Sequence, residues 1–181
     1  MSKVLEKTAD YSNQAVCKMV KPISCPRYMN DVYSIGTDLQ YYIGDIYLWL
    51  SEVSRGDLKN HYRQIALDQL EIKKRIEEIN NARLNELLVH FYNSGGTVID
   101  PPLSYQQSEE MQPFFYRILN TFTKKLESSL VSAANGSINP DELESLVNSD
   151  IIEMYSNMSK LIAVDELAKA FWDLIAIRER V

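Results

Sequence analysis

From Tyr33 to Val53 the apolar side chains Ile35, Leu39, Ile43, Ile46, Tyr47 and Leu50 recur every three or four residues. That spacing covers one face of an α-helix, whose turn takes 3.6 residues. Ser54-Arg55-Gly56-Asp57 ends it: Gly56 suits the left-handed position after a helix, and Asp57 suits the cap of the next. So short a link forces an antiparallel hairpin. The second helix spans 57–92, with Tyr62, Ile65, Gln69, Ile72, Ile76 and Ile79 in one stripe and Gly95-Gly96 beyond its end. A third, 109–135, carries Phe115, Leu119, Phe122, Leu126 and Leu130 on one face. Pro113 is expected in its first turn, where a missing N–H does little harm. Asn139-Pro140-Asp141-Glu142 opens a fourth helix, 141–163, and Asp165 caps a fifth, 166–181. Residues 1–32 show no sustained period and read as a tail or strap, with Asp31 or Ser34 as the cap of the first helix. No strand pattern of convincing length occurs, so the predicted class is all-α, one domain over 33–181.

The chain also nearly repeats itself. Placing Tyr47 on Tyr155 puts Asp57 on Asp165; after one inserted residue, Tyr62 meets Phe171, Ile65 meets Leu174 and Ile72 meets Val181. Two related hairpins are therefore expected, joined by a long excursion.

Two hairpins with a tyrosine on the first helix of each, together with the run HYRQIALDQLEI, resemble the ferritin-like or rubrerythrin-like superfamily. That resemblance implies an antiparallel four-helix bundle, with the 109–135 helix as a crossover packed outside it, its Phe115, Phe122 and Leu126 face inward. It also implies a pair of iron or manganese ions held by one Glu from the first helix of each hairpin and Glu-x-x-His from the second, since i and i+3 share a helix face. Carried onto this sequence, the first-helix acids fall on Gln40 and Asn148. The Glu-x-x-His pairs fall on Gln69 with Ile72 and on Arg178 with Val181. Amides are poor ligands for a pair of dications, Ile72 and Val181 offer hydrocarbon, and Arg178 brings a cation. The resemblance with these departures implies a bundle that has lost its di-metal centre and needs no cofactor.

Several arrangements remain open for these positions. Gln40, Gln69, Asn148 and Arg178 can form a buried hydrogen-bonded network in place of the metal, if a carboxylate such as Asp45, Glu153 or Asp173 balances the charge. The preferred expectation is plainer: Arg178 reaches solvent, because arginine is seldom fully buried. A displaced site for Fe or Mn, as in an oxidase or storage protein, would draw on Asp45, Asp68, Glu71 and Glu153. Asp68 and Glu71 flank the apolar stripe, as surface acids do. His61 and His90, the only histidines, lie roughly 40 Å apart along one helix and cannot share a metal. A third arrangement puts a small organic ligand in the former metal cavity.

Composition narrows the choice. With 181 residues and 45% apolar content the chain suits one well-filled domain. A net charge of −6 without a block of Lys or Arg argues against a nucleic-acid partner. No stretch approaches the roughly 18–20 apolar residues of a membrane span. The opening MSKVLEKTADYSNQ lacks the pattern of a signal peptide. Cys17 and Cys25 are too few for a disulfide framework, and their spacing matches no common ligand set. A cytoplasmic protein is expected. Tyr41, Tyr42, Tyr47 and Trp49 make the first helix aromatic on more than one face, which suggests that Tyr41, Tyr42 and Trp49 meet either a protein partner or second copy, or the N-terminal strap. The leading functional expectation is a non-catalytic structural, assembly or partner-binding protein.

Overall fold

The computed structural model describes residues 24–97 and 101–180. It is all-helical, and no strand occurs among the described residues. The helices are α1 (Met29–Val53), α2 (Asp57–Asn93), α3 (Tyr105–Ala134), α4 (Pro140–Leu161) and α5 (Asp165–Arg178).

Local polar groups set the helix ends, and they move two starts away from the expected positions. α1 begins four residues early because the Asp31 carboxylate accepts from the backbone N–H groups of Arg27 and Tyr28, both at 2.9 Å. α3 also begins four residues early. Ser104 Oγ accepts from the Gln107 N–H at 3.2 Å while Gln107 accepts from the Ser104 N–H at 3.0 Å, a reciprocal cap. Pro113 consequently lies inside α3 and not in its first turn. Asn139 and Glu142 cap α4 in the same reciprocal way. Asp57 and Asp165 are first-turn residues instead of caps, where their charge complements the positive end of the helix dipole. Gly56 has φ +61°, the left-handed geometry that the first tight link requires.

α1 lies along α2, and α4 along α5. α5 also packs on α1 and α2, and α2 reaches α4. α3 lies against α4 with Phe115, Phe122 and Leu126 buried, the face expected to turn inward. Within each hairpin the repeat-related rings meet. Tyr47 stacks with Tyr62 at 6.3 Å between centroids, and Tyr155 meets Phe171 at 6.1 Å.

Of the expected strap, residues 24–28 are held on α3 and the segment leading into it. Ser108 Oγ donates to the Cys25 carbonyl at 2.8 Å, the Cys25 N–H donates to Gln112 Oε1 at 2.7 Å, and Arg27 Nε donates to the Leu103 carbonyl at 3.2 Å. Cys25 is buried and not in a disulfide. Cys17, Val181 and the rest of the strap lie outside the described residues.

Candidate functional site

One side chain from each of four helices meets at the centre: Gln40 from α1, Gln69 from α2, Asn148 from α4 and Arg178 from α5. Arg178 Nε donates to Asn148 Oδ1 at 2.7 Å, and Nη1 donates to Gln69 Oε1 at 3.2 Å and to Gln40 Oε1. The expectation that Arg178 reaches solvent is overturned, for it is only 4% exposed. Its position explains how a buried cation is tolerated. It occupies the last turn of α5, at the negative end of that helix dipole, and three amide oxygens point at it.

None of the carboxylates expected to balance Arg178 does so. Asp173 accepts from Tyr33 Oη and from Arg83, each at 2.8 Å. Glu153 pairs with Lys125 at 2.6 Å on the α3–α4 surface. Asp45 is half-buried on α1, and among the described residues no carboxylate reaches ion-pair distance of Arg178. The acid that feels it is Glu144, one turn before Asn148 on α4. Burial, with Asp68 and Asp141 nearby, raises the Glu144 carboxyl above the usual range, against the pull of His61 and Arg178. Burial likewise lowers Arg178 from the ordinary arginine range.

Three further buried polar atoms near the guanidinium make no hydrogen bond among the described residues: Gln40 Nε2 and the hydroxyls of Tyr47 and Tyr155. Gln40 and the Tyr155 hydroxyl are neighbours but miss hydrogen-bonding geometry. Burial pushes both phenols far above their ordinary range, so they remain neutral donors.

The displaced-site candidates are not brought together. Asp68 accepts from Gln64 at 3.0 Å, and exposed Glu71 lies 3.8 Å from Arg75. Among the described residues no three His, Cys, Asp or Glu side chains converge on a possible metal position. The centre does not fit a pair of dications either: a guanidinium stands in it, and buried Ile72 adds hydrocarbon. His61 pairs with Asp141 at 2.9 Å, while His90 is exposed near the end of α2.

Of the aromatic interface candidates, Tyr41 is exposed and meets Tyr42 edge-on at 5.8 Å. Tyr42 and Trp49 are half-buried against the core. A larger apolar surface lies elsewhere. Past Ile76 no residue of α2 is buried, and Leu84, Leu87, Leu88, Val89, Phe91 and Tyr92 are exposed. The sequence contained that signal, because the apolar density of α2 continues after Ile79 but leaves the core-facing stripe.

No helix among the described residues is long and apolar enough to cross a membrane. Comparison of the chain with protein-family models, curated proteins and solved structures gives no match.

Proposed function

We propose that this chain is a non-catalytic ferritin-like bundle in which a hydrogen-bonded arginine network has replaced a di-metal centre, and that it works as a structural, assembly or partner-binding protein. One observation carries the reading. Of the six positions that the resemblance assigns to metal ligands, Gln40, Gln69 and Asn148 meet around a fourth, Arg178, one from each of four helices. A site rebuilt from amides and a cation holds the helices together and offers no metal chemistry. The surface supports the partner-binding role: Tyr41 and the far end of α2 expose apolar area of the kind that marks protein contacts. A cytoplasmic setting and a protein partner or homo-oligomer belong to the same reading.

Metal content per chain, measured by elemental mass spectrometry after aerobic loading with Fe(II) and Mn(II), tests it. A value near zero is expected after loosely bound ions are removed. Stoichiometric, tightly held metal would overturn the proposal and direct mutagenesis to Asp45, Asp68, Glu71 and Glu153.

A further inference from the structure

Beside the network, between α2, α4 and α5, lies a pocket of about 260 Å³ with Arg178, Gln69, Asn148, Glu144 and Ile72 in its walls. We propose that it binds a small zwitterion, a molecule of amino-acid size carrying a carboxylate and an ammonium group. The inference rests on the network and the pocket alone, so it stands or falls separately from the metal-loss reading.

Arg178 orients both neighbouring amides. Because Gln69 Oε1 and Asn148 Oδ1 accept from it, their amide nitrogens are turned the other way. Gln69 Nε2, Asn148 Nδ2 and Arg178 Nη2 make no hydrogen bond to a described residue and, unlike Gln40 Nε2, are not sealed off from the surface. Three fixed N–H donors, one of them charged, thus belong to one wall. That is the complement of a carboxylate, which accepts several hydrogen bonds and is bound best by a guanidinium.

The rest of the rim has the opposite sign. Glu144 and Asp141 line the pocket, and Asp68 lies close enough to Glu144 to disfavour its ionisation. These acids repel a simple anion and favour an ammonium group; among the described residues His61, paired with Asp141, is the only other basic side chain acting on Glu144 besides Arg178. Ile72 supplies an apolar wall for a hydrocarbon side chain. The acid rim disfavours phosphorylated ligands, whose additional negative charge it repels.

Calorimetric titration of the full chain with alanine or leucine, against acetate and against methylamine, tests the proposal. The amino acids should bind at least about tenfold more tightly than either half-ligand. Glu144→Gln should reverse part of that preference, weakening alanine and strengthening acetate. Asn148→Asp keeps an oxygen for Arg178 but replaces a donor with negative charge, so it should abolish amino-acid binding while circular dichroism still reports a folded helical protein. No heat of binding at about 10 mM amino acid, beyond the weak end of small-ligand affinity, would overturn the proposal. So would acetate binding as well as alanine, or both variants leaving the preference unchanged.

Discussion

The hairpins α1–α2 and α4–α5 share an apolar plan but send different groups to the centre. Each sets a first-helix tyrosine against a ring one helix later, Tyr47 with Tyr62 and Tyr155 with Phe171. The first hairpin then contributes two neutral glutamines, while the second contributes an asparagine and an arginine. Glycine marks a second difference. In α1, Gly44 faces α2, where an added Cβ would make ordinary contact at 3.6 Å with the Ala66 carbonyl oxygen; the repeat-related position in α4 is Ile152. The shared rings preserve the packing, and the divergent polar positions have become complementary. A single buried cation can be satisfied by three acceptors, whereas a second would face repulsion in a region of low dielectric.

The sharpest way to break that complementarity is Arg178→Ala. It leaves two amide oxygens and the Asn148 carbonyl without their donor and should destabilise the protein by about 3 kcal/mol in urea unfolding. Native-like stability would mean that the three oxygens are satisfied in some other way. The close approach between hairpins can be probed at Gly36, where an added Cβ would lie 2.8 Å from Leu174 Cδ2. Leu174 is fully buried, so Gly36→Ala should destabilise by about 1 kcal/mol. Within the first hairpin the sign reverses. Gly44→Ala meets only ordinary contacts and should stabilise by about 0.5 kcal/mol through helix propensity.

The repeated tyrosines should be nearly silent. Because their hydroxyls have no hydrogen-bond partner among the described residues, Tyr47→Phe and Tyr155→Phe should change stability by less than about 0.5 kcal/mol, or raise it. A large loss at one but not the other would show that the two hairpins treat their tyrosines differently. Glu144 gives a pH signature. Its folded-state pKa lies above the ordinary 4.5, so its protonated form is favoured by folding. That contribution is complete below pH 4.5 and is lost as pH rises through the elevated value. Glu144→Gln should therefore raise Tm at neutral pH, and the gain should disappear at low pH in thermal melts.

Much of this fold was legible before any coordinates. Five apolar stripes at helical spacing located all five helices, and the ligand positions implied by the resemblance to ferritin-like bundles pointed to Gln40, Gln69, Asn148 and Arg178. Periodicity did not reveal the first turns of α1 and α3, because polar groups specify them: Asp31 reaching back to Arg27, and Ser104 exchanging bonds with Gln107. The burial of Arg178 was not legible either. Arginine usually reaches water, and only the packing of α1, α2 and α4 over the last turn of α5 prevents it here. Glu144 escaped notice because it lies off the stripe that carries Val147 and Ile151. Its i, i+4 relation to Asn148 was nonetheless available in the sequence.

The same α2 that donates Gln69 to the core runs on for more than twenty residues beyond it. Its 37 residues extend about 55 Å, and the last buried one is Ile76. The Arg83–Asp173 pair, with Arg83 also lying over the Tyr33 ring, clasps it once more to α1 and α5. One continuous helix therefore has two lifetimes. In amide hydrogen exchange, residues 62–76 should open only with the whole protein, while residues 84–93 fray independently and exchange orders of magnitude faster. Any partner that settles on those exposed leucines would announce itself by slowing the second group to the pace of the first.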